Sequence, residues 1–228
     1  MEKIIFETTE AVLLVGAGEC RPDDLREVLA VIPRLVAADG GAEHALMIDA
    51  IPEAIVGDFD SFPSEMHSKI PENRLHHVAE QDSIDFEKAL ARISAPLVLG
   101  VGFLGQRVDH QLAAFNVLMR RAHQRCLLIG SEQVVFLCPP EIDFSSQVGG
   151  LVSVFPLVPI VAESCGLHWP LDGLDLAPDR LISTSNKATQ NHIHIKVNMP
   201  GLLVMLPRSE WRCVHQTLMR TPAQWPVP

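Results

Sequence analysis

Over the first 130 positions the apolar residues come in short runs, at 11–15, 34–38, 53–57, 96–101 and 126–129, each the length of a buried strand. Between them, 23–31, 84–93 and 110–122 carry apolar residues at helical spacing. In the last of these, Leu112, Phe115, Leu118 and Met119 fall on one face. Strands alternating with helices predict a parallel sheet covered on both sides, a three-layer α/β domain. Beyond about residue 131 the texture changes. Runs at 134–138, 151–157, 192–197 and 202–206 are β-type, separated by Pro, Gly, Asp and Ser clusters, and no long helical period remains. That half predicts a smaller all-β sandwich domain. The expected domains are 1–135 and 136–228, with 221–228 a loose or docked Pro-rich tail.

The composition narrows the partners. Apolar residues make up 47% and charged residues 20% of the 228 positions, an ordinary globular balance. The net charge of −10 argues against a nucleic-acid duplex, because tracking phosphates needs a basic surface. Acidic residues remain compatible with a nucleotide held through a cation. Cys20, Cys126, Cys138, Cys165 and Cys213 are scattered, odd in number and form no Cys-x-x-Cys pair, which fits a reducing cytoplasm. The early apolar run at 11–15 is too short for a membrane span, and no membrane association is expected.

Candidate chemistry gathers where apolar runs end. Gly57-Asp58-Phe59-Asp60-Ser61 places two carboxylates at i, i+2, which in an extended chain point to one side. At the carboxyl end of a parallel strand they read either as Mg²⁺ ligands or as a solvated turn. Asp82-Ser83-Ile84-Asp85-Phe86-Glu87-Lys88 reads as a helix start in which Asp82 or Ser83 caps, or as a third ligand (Asp85) with Lys88 facing a phosphate. Gly102 through His110 follows another strand, its glycines allowing backbone N–H groups near an anion and Arg107 offering a planar fork. Capping of the next helix is the plain alternative for Asp109, and surface exposure for His110. Asp39-Gly40-Gly41 ends a further run. Gly16-Ala17-Gly18 lacks the third glycine of a dinucleotide fingerprint, and no P-loop occurs. His192 and His194 alternate on a strand and read as one face of it.

Taken together these segments resemble the thiamin pyrophosphokinase family. The similarity rests on Asp39-Gly40-Gly41-Ala42, the Gly57–Ser61 stretch, Asp82 through Leu90, and Gly102–His110 with Asn116. In the second half it rests on Gly166-Leu167-His168-Trp169-Pro170-Leu171 and Ser183-Thr184-Ser185-Asn186. The resemblance implies an α/β catalytic domain joined to a β-sandwich, acting as a homodimer on thiamin with ATP as co-substrate. It implies Mg²⁺ on Asp58, Asp60 and Asp85, with Asp82 and Gln81 lining the same site. Asp39, Gly40, Gly41, Lys88, Gly102, Arg107, Asp109 and His110 would lie near the nucleotide. Trp169 would stack on thiamin across the dimer interface, with Ser183, Ser185 and Asn186 beside it. This sequence departs from the family pattern at Gln106, usually glycine, and at Ile84, usually threonine.

The reaction so implied is attack of thiamin's hydroxyl on the β-phosphorus of ATP, releasing AMP. A Mg²⁺-dependent nucleotide hydrolase and a non-catalytic nucleotide- or thiamin-binding sensor are the alternatives. Trp169 and the Ser183–Asn186 segment speak against the hydrolase, and the intact set of carboxylates against the sensor.

Overall fold

The computed structural model describes residues 2–80 and 82–227. The chain forms two compact units. One comprises the residues up to Val117 plus Leu128–Ser131; the other comprises Leu118–Leu127 and the residues from Glu132 onward.

The first unit runs β1 (Phe6–Glu7), β2 (Val12–Val15), α1 (Pro22–Leu29), β3 (Arg34–Ala38), α2 (Gly41–Met47), β4 (Ala54–Gly57), α3 (Ser64–His67), β5 (Leu75–His77), α4 (Asp85–Leu90), β6 (Ile93–Ser94), β7 (Val98–Val101) and the first part of α5 (Val108–Arg120). It ends with the Leu128–Ile129 half of β8 (Cys126–Ile129). The order β7-β2-β3-β4-β5 is parallel throughout. Its central strands are buried along their whole length, so they read as unbroken apolar runs. α1 starts with Pro22 and places Asp23 and Asp24 in its first turn, where fixed φ and negative charge suit a helix start. Because every central strand points the same way, the segments after β2, β3, β4 and β7 share one edge of the sheet.

The second unit contains β9 (Gln133–Leu137), β10 (Glu141–Ser145), β11 (Leu151–Pro156), β12 (Ala162–Cys165), β13 (Ser183–Lys187), β14 (His192–Val197), β15 (Leu202–Pro207) and α6 (Trp211–Arg220). The strands form two antiparallel groups, β13-β11-β15-β9 and β10-β14-β12. In β10 and β14 buried and exposed positions alternate, with Ile142, Phe144, Ile193 and Ile195 turned inward. The fold is therefore an α/β parallel-sheet unit followed by an all-β unit. The tail is docked: the Trp225 indole Nε1 donates to the Cys138 carbonyl at 2.9 Å, and Arg125 donates to the Thr221 carbonyl at 2.6 Å.

Three local expectations need correction. The second half does hold a helix, α6, anchored by buried Trp211, Val214 and Leu218. Only three apolar anchors at i, i+3 and i+7 carry it among polar residues, too few to stand out beside the β-type runs. α2 escapes the sequence pattern because it opens on glycine and buries small residues, Ala42 and Ala45. A side chain on Gly41 would collide with the Val15 carbonyl, so glycine lets this helix lie directly on the sheet. In α5 the buried face is Ala114, Phe115, Val117 and Leu118, whereas Leu112 is 61% exposed.

Candidate active site

β3 delivers its chain end to Asp39, which takes a left-handed conformation (φ 43°) and is only 1% exposed. Next to it β4 ends at Gly57, where a Cβ would come within 2.6 Å of the Asp39 Cβ; glycine is what lets the two strand ends approach. Asp39 Oδ2 accepts the Ser61 N–H at 3.2 Å, while Oδ1 is buried with no hydrogen-bond partner. One oxygen each from Asp39, Asp58 and Asp60 lies within 4.8 Å of the others. Sequence spacing anticipates Asp58 and Asp60 on one side of an extended chain. Their convergence has another cause: Phe59 between them adopts φ 63°, and its ring packs against His67 and His77 at 5.6 and 5.7 Å.

Burial lifts the Asp39 pKa to about 6, reinforced by the neighbouring carboxylates of Asp85, Asp58 and Asp60 and opposed by the Ser61 hydrogen bond. An orphaned buried oxygen amid three hard-oxygen donors fits a small divalent cation such as Mg²⁺. The sign of the resulting pH dependence follows directly. The folded state holds the Asp39 proton more tightly than the unfolded chain, whose ordinary value is 3.8. Without metal, stability at this group is therefore lost as pH rises from near 4 to about 6, by on the order of 2–3 kcal/mol. Thermal melts across that range should show the loss in wild type, relief by millimolar Mg²⁺ above pH 6, and a flatter profile in Asp39→Asn. Identical profiles for wild type and variant would remove Asp39 from the cluster.

α4 supplies the remaining groups. Lys88, 3% exposed, donates from Nζ to Asp58 Oδ2 at 2.7 Å and to Asp85 Oδ1 at 3.1 Å, tying Asp85 to the cluster. Burial works against its charge, but the two hydrogen bonds prevail and its pKa is raised. Ile84 takes the N-cap position of α4 and makes no capping hydrogen bond. Asp82 stands exposed outside the close group, its backbone N–H bonded to Glu80. Gln81 lies outside the described residues.

A cavity of about 310 Å³ opens beside these groups, lined among others by Gly16, Gly18, Gly40, Asp85, Gly102 and His110. Its floor is a pair of interlocked turns: the Gly18 N–H donates to the Gly102 carbonyl at 3.0 Å, and a Cβ on Gly18 would meet that oxygen at 2.6 Å. His44 Nε2 lies 3.0 Å from the Gly18 carbonyl and braces the turn from α2. Sequence reading set Gly16-Ala17-Gly18 aside for want of a third glycine and missed His44; the signal available was a glycine pair directly after an apolar strand. Arg107 and Asp109 form a two-bonded fork, at 2.6 and 3.2 Å, that holds the Asp109 pKa down at about 2. Gln106 has φ 44°, a conformation natural to the glycine that the family pattern has there.

In the second unit, Trp169 is 55% exposed and its backbone is clamped by Asn186. Asn186 Oδ1 accepts the Trp169 N–H at 3.1 Å and the Lys187 N–H at 2.8 Å, while Nδ2 donates to the Trp169 carbonyl at 2.7 Å and to Ser183 Oγ at 3.1 Å. With its amide engaged on every side and 0% exposed, Asn186 positions Trp169 here rather than presenting a free group. Ser185 is exposed, with φ 59°, and its N–H donates to Ser153 Oγ at 2.9 Å.

Comparison with known proteins agrees with this arrangement. The family model "Thiamin pyrophosphokinase, catalytic domain" matches residues 25–129, and "Thiamin pyrophosphokinase, vitamin B1 binding domain" matches residues 141–202. Thiamine pyrophosphokinase 1 of Oryza sativa subsp. japonica is 28% identical over 198 residues, spanning 70% of this chain and 74% of that protein. Thiamin pyrophosphokinase 1 of Caenorhabditis elegans is 24% identical over 197 residues, spanning 77% and 79%. Among solved structures, thiamin pyrophosphokinase from Geobacillus thermodenitrificans superposes with a TM-score of 0.71 at 22% identity, covering 89% of this chain and 99% of its own. The Candida albicans enzyme gives 0.73 at 16% identity, covering 91% and 95%; at these identities the structures speak for the fold. Two models from one family, matched in order over both halves of the sequence, establish that the chain belongs to the thiamin pyrophosphokinase family.

Proposed function

We propose that this chain is a Mg²⁺-dependent thiamin pyrophosphokinase in which residues 1–135 hold the nucleotide and residues 136–228 hold thiamin. The observation that supports it most is the Asp39, Asp58 and Asp60 cluster, with its orphaned buried oxygen, beside a glycine-lined cavity. Asp58, Asp60 and Asp85 would hold Mg²⁺, with Asp39 as a further oxygen donor and Asp82 at the mouth. When bound, that ion supplies positive charge to the transferring phosphoryl oxygens. The turns at Gly16–Gly18, Gly40–Gly41 and Gly102 leave room for the triphosphate to lie against backbone. His110 lines the same space, and the exposed Arg107 fork is released from Asp109 to phosphate oxygens. Lys88 keeps Asp58 and Asp85 in register so that their charges converge before substrate arrives. Asp85 or Asp82, at the head of α4, takes up the proton of the attacking hydroxyl as AMP leaves. Catalysis of this kind is positioning and electrostatics. The working form is a cytoplasmic homodimer. Among the described residues no helix is long and apolar enough to cross a membrane.

Trp169 offers an exposed aromatic face to the cationic ring of thiamin, with Ser183 and Ser185 close by on β13. Trp169→Ala leaves the backbone bonds to Asn186 in place. It is expected to raise KM for thiamin about tenfold, with kcat and KM for ATP within about twofold of wild type. Steady-state kinetics with each substrate varied separately checks this. An unchanged thiamin KM would remove Trp169 from the thiamin site.

A further inference from the structure

The three-stranded sheet β10-β14-β12 turns a second group of metal-type ligands toward solvent. His192 and His194 sit at i, i+2 on β14 and so share a face, and Asp143 stands directly opposite His194 in the ladder. Both imidazoles turn to one carboxylate oxygen: His192 Nε2 lies 2.9 Å and His194 Nδ1 3.0 Å from Asp143 Oδ1. The other nitrogen of His194, Nε2, lies 3.6 Å from Glu141 Oε1. A simple charge ladder would give each ring its own carboxylate, and Glu141 is within reach of one of them. Instead three donors from two strands crowd around one point.

We propose that His192, His194 and Asp143 form a second cation site, selective for a late first-row divalent ion of the zinc type. Donors bound to such an ion at about 2.0–2.1 Å stand roughly 3 Å apart from one another. The observed 2.9 and 3.0 Å separations match that spacing, so an ion requires side-chain shifts of a few tenths of an ångström. Two imidazole nitrogens favour zinc, nickel or copper over magnesium, in contrast to the all-oxygen group of Asp39, Asp58 and Asp60. Glu141 beside the far nitrogen of His194 is placed to orient that ring, as carboxylates do for metal-bound histidines. All three ligands reach solvent, which leaves the remaining coordination positions to water or to an exogenous ligand.

The test is titration of the full-length protein with Zn²⁺ against a chromogenic chelator, in millimolar Mg²⁺. One equivalent should bind wild type and be retained in Asp60→Asn, which alters only the first cluster. His192→Ala and His194→Ala should each weaken it by about 10- to 100-fold, and so should the milder His194→Gln. Circular dichroism on each variant establishes that the fold is kept. Absence of a bound equivalent in wild type overturns the proposal. So does equal affinity in the histidine variants, or loss of the ion only on blocking the exposed thiols, since either result places the zinc elsewhere.

Discussion

Asp60→Asn is expected to lower kcat by about a thousandfold or more while leaving the fold intact, because it removes one charge from the cluster and little else. Asp60 is exposed and bonds only locally, accepting from Ser61 Oγ at 2.9 Å, a bond an asparagine oxygen also accepts. The neutral side chain is a poorer ligand for a hard cation, and the phosphoryl oxygens then meet less positive charge in transfer. Turnover under saturating Mg²⁺, paired with a thermal melt, separates the two effects. Activity within tenfold of wild type at unchanged stability would remove Asp60 from the metal site.

The second large effect is on stability. Lys88 is buried and makes the only printed ion pairs of Asp58 and Asp85, at 2.7 and 3.1 Å, so Lys88→Met keeps the volume and strips the counter-charge. Breaking a buried pair by deleting one partner costs on the order of 3–5 kcal/mol, most of it the penalty of leaving the other charge uncompensated. Here the partial exposure of Asp85 brings the expected value to the lower end of that range. The distinguishing signature is metal dependence. Mg²⁺ at millimolar concentration should restore a large part of the lost stability in Lys88→Met, because a cation takes over the charge balance of Asp58 and its neighbours. A denaturant midpoint that falls equally with and without Mg²⁺ would mean that Lys88 is only a packing element. No fall at all would mean that the pair contributes nothing.

Much of this architecture is legible in the sequence because buried parallel strands have to be apolar along their whole length. The runs at 34–38 and 126–129 end where β3 and β8 end for that reason. The residues after those runs carry the polar chemistry, and parallel connectivity alone brings Asp39, Asp58 and Gly102 to one edge. What escaped depends on single backbone angles and on contacts remote in sequence. The left-handed turn at Phe59 cannot be read from an aromatic residue, which disfavours that region. Gly16–Gly18 gains its meaning only from Gly102, far along the chain. Asn186 reads as a ligand until its four hydrogen bonds are seen to be satisfied within the protein. The two departures from the family pattern also acquire physical content: Gln106 occupies a glycine-type conformation, and Ile84 leaves α4 uncapped.

The central claim is that carboxylates, glycine cradle and exposed tryptophan together serve one transfer from ATP to thiamin. Its most direct test is product analysis with purified protein, ATP, thiamin and Mg²⁺, with thiamin or Mg²⁺ omitted in turn. The account predicts AMP and thiamin diphosphate in equal amounts, both vanishing when either component is left out. ATP breakdown that proceeds without thiamin, or thiamin binding with no turnover in the complete mixture, would contradict it.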